Sequence, residues 1–169
     1  MNRRDLAIVL MCLLCSVAAL TSRNAVTLGA YMKPADETKV QSRLLNSTNI
    51  LRTNSSVTPL TWDEKITALA LRHSQEMAAA ERISHSNFRE RFQAIITIYP
   101  QWSMVGEVVG TNGGSSVEEV AQLAMGQWGN STAHRQNLID PKARYIGVGA
   151  HISAAREWWL TVITVGVSP

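Results

Sequence analysis

The sequence predicts an α+β domain, a three-layer α/β/α sandwich in which helices flank a small antiparallel sheet. Three observations carry that expectation. Four stretches between residues 36 and 128 repeat apolar residues at helical spacing. Three short runs, 104–109, 145–152 and 158–165, are dense in β-branched and aromatic residues, as strands are. The helices outnumber the strands and must surround the sheet to cover its apolar faces.

The N-terminus is read separately. Arg3 and Arg4 make a basic start, Leu6 to Leu20 is uncharged and mostly apolar, and Ser16-Val17-Ala18 places small residues at cleavage spacing. Residues 1–23 are therefore expected to be a secretory signal peptide, or an N-terminal anchor if they are retained. The apolar run is shorter than the roughly 18–20 residues that span a bilayer. Residues 24–36, with Gly29 and Pro34, read as a linker, and 37–169 as the folded domain. Of 169 residues, 46% are hydrophobic and 17% charged, which suits one domain with its own core.

Charge and cysteine count narrow the function classes. The whole chain carries a formal +3, but residues 1–23 hold Arg3, Arg4, Arg23 and Asp5, so the remainder has thirteen positive and twelve negative side chains. A net +1 gives no electrostatic footprint for nucleic acid, and none is expected as a partner. Both cysteines, Cys12 and Cys15, fall in the leader, so the domain is expected to stand on its core without disulfides.

The elements follow in order. A first helix runs from about Asp36 to Arg52, with Val40, Leu44, Thr48 and Leu51 on one face. Val57-Thr58-Pro59-Leu60 crosses over in extended form, because Pro59 disfavours helix in the residue before it. A second helix is expected to begin at a capping box of Thr61 and Glu64, with Asp63 in its first turn. Trp62, Ile66, Leu69, His73 and Met77 then form its stripe, to about Glu81. Ile83 to Asn87 leaves it as a loop, and Phe88 to Ile98 makes a third helix, ended before Pro100. Met104 to Val109 is a strand, and Gly110 to Gly114 a turn. The next helix is capped by Ser115 and Glu118, or by Ser116 and Glu119. Val117, Val120, Leu123 with Ala124, and Trp128 are its expected buried face. Tyr145–Ile152 and Trp158–Val165 complete the sheet as an antiparallel pair around Ser153–Glu157.

Chemistry concentrates between Trp128 and Gly149. His134 sits there in a short turn or helix; a histidine so placed can ligate metal, move protons or bind anions. It can equally be a capping or surface residue. His85, flanked by serines, has the same two readings. Glu107, after Gly106 in an apolar run, either faces inward with a partner, since a bare buried carboxylate is costly, or faces water from an edge strand. His73 lies on an apolar stripe and reads as a hydrogen-bonded core histidine; His151 reads as surface or structural. Ser131, three residues before His134, lacks a legible orienting acid or oxyanion hole, and the sequence has no Gly-x-Ser-x-Gly elbow, no His-Glu-x-x-His and no phosphate-binding glycine loop.

Taken together these residues form a familiar series. Asn49-x-x-Arg52, Pro59-Leu60-Thr61-Trp62-Asp63, His73-Ser74 with Met77-Ala78, Ile83-Ser84-His85-Ser86, Gly106-Glu107, Trp128 with Ser131 and His134-Arg135-x-Asn137-Leu138, Ile146-Gly147-Val148-Gly149 and Trp159 occur in order. This series resembles the CAP superfamily of cysteine-rich secretory, antigen 5 and pathogenesis-related proteins, or SCP-like extracellular domains, in its bacterial cysteine-free form. The resemblance spans about residues 38–166. It implies the α/β/α sandwich and a cleft tetrad of two histidines and two glutamates, of which His85, Glu107 and His134 match three. The fourth position, three residues after Trp128, holds Ser131. Val108 stands where the family usually has Asn after the glutamate, and Thr161 where the last strand often has Gln.

The resemblance implies a secreted or extracytoplasmic location, in or near the cell envelope. It also implies that His85, Glu107 and His134 are candidate ligands for a divalent metal such as zinc, with an open position. The leading expectation is a non-catalytic module whose His/Glu cleft, with Ser131 at its rim, binds a ligand or a cell-envelope component. An alternative is a metal-dependent hydrolase of peptide or another envelope polymer, with Glu107 as ligand or general base. A second alternative is a lipid-binding protein taking a small apolar ligand in an exposed groove. Membrane contact is expected only through an uncleaved N-terminal segment.

Overall fold

The computed structural model describes residues 36–168; the expected leader and all of the linker but Asp36 lie outside the described residues. The elements run α1 (Glu37–Asn54), β1 (Thr61–Trp62), α2 (Glu64–Ala80), α3 (Phe88–Ile98), β2 (Trp102–Asn112), α4 (Val117–Asn130), α5 (Thr132–Leu138), β3 (Ala143–Ile152) and β4 (Trp158–Val167). No described helix is long and apolar enough to cross a membrane.

The sheet order is β1-β3-β4-β2. The three long strands are antiparallel, with Glu107 opposite Ile163 and Gly147 opposite the same residue on the other side. β1 adds a two-residue parallel edge against Tyr145 and Ile146. The central strand β4 is buried along nearly its whole length, which is why Trp158–Val165 reads as an unbroken apolar run rather than an alternating one.

Side chains alternate across β4 and so build two cores. Trp158, Leu160 and Val162 pack with Val40 and Leu44 of α1, Val120, Ala124 and Trp128 of α4, and Leu138 of α5. Ile163 and Val165 pack on the opposite face with Ile66 and Ala70 of α2 and Ile95 of α3. The layers are thus α1, α4 and α5, then the sheet, then α2 and α3. Helix α2 lies very close to β3: a Cβ on Gly149 would fall 2.2 Å from the Ala70 carbonyl oxygen, so only glycine permits that contact.

Three local expectations are corrected. The turn expected over Gly110–Gly114 begins only after Asn112, because Gly110, Thr111 and Asn112 continue β2 against Leu160, Trp159 and Trp158. The second helix is capped by Asp63, whose carboxylate accepts from the Ile66 amide at 2.8 Å, not by Thr61. Thr61 and Trp62 are instead taken by the sheet, because pairing with β3 satisfies backbone groups that a helical turn there would leave exposed. Leu123 is 42% exposed, and Ala124, one position on, faces the core in its place; the buried stripe of α4 is Val120, Ala121, Ala124 and Trp128. At its start, Ser116 caps the helix through the Glu119 amide, while Glu119 accepts from the Ser115 amide. That mixes the two capping boxes the sequence allowed.

Candidate functional site

Glu107 faces the α2/α3 side of β2 and is not exposed to water. Its partner is Arg91 of α3, whose Nε and Nη2 donate to Oε2 and Oε1 at 2.7 and 2.8 Å. Both side chains are only 2% exposed. A planar guanidinium meeting a carboxylate in this two-armed way is the strongest common geometry for burying an ion pair. Arg91 lies one helical turn before the buried Ile95, on the inward stripe of α3, and its guanidinium carbon is 6.0 Å from the Phe88 ring centre.

His85 sits in the loop between α2 and α3, with its ring 54% exposed and Nδ1 2.8 Å from Glu107 Oε1. Oε1 already accepts from Arg91 and accepts here too, so Nδ1–H donates and Nε2 is left outside this contact. The loop is pinned on either side of this histidine. His73, buried on α2, donates from Nε2 to the Ser84 carbonyl at 2.8 Å. Arg91 Nη1 donates to the Ser86 carbonyl at 2.7 Å. His73 is thus the hydrogen-bonded core histidine its stripe predicts, and it also anchors the residue before His85.

His134 comes from the other helical layer, on α5, and is half-buried. Burial holds its pKa below the ordinary 6.5, and the neighbouring His85 lowers it further. The two imidazoles are therefore electrostatic neighbours. Helix α5 is held by Arg52, which is fully buried in α1. Its guanidinium donates to the carbonyls of Leu138 at 2.7 Å, Asp140 at 3.1 Å, Ala143 at 3.4 Å and Thr58 at 2.7 Å. A cation at a helix C-terminus also suits the helix dipole. Asn137 packs against β2 at Gly106, where an added Cβ would come 2.6 Å from its Oδ1, so glycine leaves it room.

Ser131 joins α4 to α5, and its side chain makes no capping bond. Among the described residues no group of three or more His, Cys, Asp or Glu stands in metal-holding geometry. Glu107 could join His85 and His134 as a third ligand only beside the bonds it already makes, since both of its oxygens are engaged by Arg91 and one also by His85, filling three of its roughly four acceptor positions. His151 is structural, paired with Glu37 at the start of α1 at 2.9 Å.

The sequence reading missed Arg91. The signal was present twice. An arginine sits on the apolar stripe of α3, four residues before Ile95, and a glutamate inside an apolar strand requires a cation.

Comparison with known proteins sets this geometry among relatives. Residues 45–164 match the model of the cysteine-rich secretory protein family, CAP. The uncharacterised protein YkwD of Bacillus subtilis is 25% identical over 127 residues, 74% of this chain and 47% of the relative. The chain therefore spans about half the length of that relative. An extracellular SCP-domain protein of Bacillus anthracis superposes with a TM-score of 0.64 at 23% identity, over 80% of this chain and 44% of that one. An outer surface protein of Borrelia burgdorferi gives 0.66 at 16% identity, over 81% and 97%.

Proposed function

This chain belongs to the cysteine-rich secretory protein (CAP) family, and from that premise we propose that it is an extracytoplasmic, non-catalytic binding module whose cleft between His85 and His134 takes a component of the cell envelope. One observation carries the reading. Glu107, the only carboxylate of the tetrad that this sequence retains, is engaged by Arg91 on both oxygens and by His85 on one, so a proton taken from a substrate would have to compete with those bonds. With Ser131 in the place of the second carboxylate, the cleft offers two imidazole nitrogens and no activated nucleophile. Such a pair recognises a ligand by hydrogen bonding to it or by taking a cation.

The relatives named as extracellular or outer-surface proteins support the location. The metal-dependent hydrolase reading has less support. A catalytic zinc takes three protein ligands plus water, and the donor set here does not fit that centre, because the third ligand is bound to arginine.

Co-sedimentation of the purified chain with isolated cell envelopes tests the proposal. The wild type is expected in the pellet, and the His85→Ala/His134→Ala double variant in the supernatant. Equal distribution of both proteins would remove the cleft from the binding reaction. Turnover of envelope polymer by the wild type and not by the variant would replace binding with catalysis.

A further inference from the structure

Arg91 is fully buried but belongs to none of the apolar clusters, whereas Ile95 on the same stripe packs in one. Its three bonds all end at the site. Two go to Glu107, and the third goes to the Ser86 carbonyl beside His85. We propose that Arg91 is a positioning residue that selects the tautomer of His85. It does so through Glu107, and it thereby determines that the cleft presents an unprotonated Nε2.

The chain of cause has three links. The Arg91 fork donates to both Glu107 oxygens, and a donor needs an acceptor, so Oε1 meets His85 as an acceptor. An acceptor 2.8 Å from His85 Nδ1 requires that nitrogen to carry its hydrogen. A neutral ring with Nδ1–H has its lone pair on Nε2, and the ring is 54% exposed, so that lone pair is what a ligand meets. The ligand class follows: the atom facing Nε2 is an N–H or O–H donor or a cation, and not a hydrogen-bond acceptor. This rests on the cleft being the binding site, but the tautomer itself is a property of the free protein.

The fork matters as well as the charge. Lysine in place of Arg91 would be a point donor, able to hold one oxygen but not to fix the carboxylate plane or reach Ser86 at the same time.

Long-range proton–nitrogen NMR of the ligand-free protein at pH 8.5, about two units above the ordinary histidine value, reads the tautomer directly. The wild type is expected to hold Nδ1–H in at least about tenfold excess, the factor one charge-assisted hydrogen bond supplies. Arg91→Met is expected to lose that excess, and Arg91→Lys to lose most of it. Ile95→Ala, a core truncation on the same helix, should weaken the fold and leave the ratio unchanged. A wild-type ring protonated on Nε2, an unchanged ratio in Arg91→Lys, or an equal shift in Ile95→Ala would each overturn the proposal. If Arg91→Met does not fold, the lysine variant decides. Because no ligand is present, failure of envelope binding and failure of this assignment are read in separate experiments.

Discussion

Arg91 holds Glu107 by both oxygens, at 2.7 and 2.8 Å, with each side chain 2% exposed. Breaking such a pair from one side leaves the other charge buried and unpaired. Glu107→Ala and Arg91→Ala are each expected to cost about 3–5 kcal/mol in urea unfolding. The double replacement Arg91→Met/Glu107→Leu should cost far less than the sum, because hydrophobic groups of similar volume satisfy the site without charge. Additive losses in that cycle would show that the two residues are not coupled.

His134 titrates below the ordinary 6.5, with burial the larger cause and His85 the smaller. The unfolded chain therefore binds more protons than the folded one between the depressed value and 6.5, and this residue makes stability rise with pH through that window. Its contribution is present above 6.5 and fades as pH falls through the window. An NMR titration of His134 should show a midpoint under 6.5. His85→Ala should move it part of the way back and no further, since burial is untouched.

The two glycines Gly149 and Gly126 should respond in opposite ways to alanine. At Gly149 the new Cβ would meet the backbone of α2 at 2.2 Å, and the loss is expected to reach about 3 kcal/mol or to prevent folding. Gly126 lies inside α4 with nothing within 4 Å of a Cβ, so alanine there should stabilise by about 0.5–1 kcal/mol. Thermal melts of both variants check the pair.

Arg52→Met removes the donor shared by four carbonyls, three of them at the end of α5 and beyond it. Each buried acceptor left without a partner costs about 1–3 kcal/mol. The larger expectation is local: amide exchange over 136–143 should quicken more than in α3, and envelope binding should fall because His134 loses its support. Uniform protection across both helices would reject that localisation.

Much of the fold was legible because the period of apolar residues is strong in α1, α2 and α4 and the β-branched runs of β3 and β4 are long. The misreadings occurred where tertiary pairing outcompeted a local pattern. Thr61 has the look of a helix cap, but β3 offers its backbone a partner. Leu123 fits the stripe as well as Ala124 does, but Ala124 is the one that joins the core with Val40 and Leu44 of α1. For the site, His85, Glu107 and His134 could be named once the series of motifs resembled the CAP superfamily, whereas Arg91 lies outside those motifs and its role shows only when the apolar stripe of α3 and the strand glutamate sixteen residues away are read together. The availability of Glu107 as a ligand also depends on that arginine.

The clamp at Arg52 has a consequence for how the protein assembles. It joins the first helix to carbonyls 86 to 91 residues further along the chain. Closing a loop of that length costs conformational entropy, and contacts so far apart in sequence are slow to form. His134 therefore depends for its final position on a long-range contact and not on its own short helix alone. A chain cut short before residue 143 lacks part of the clamp that fixes α5, so His134 in such a chain is without its full support.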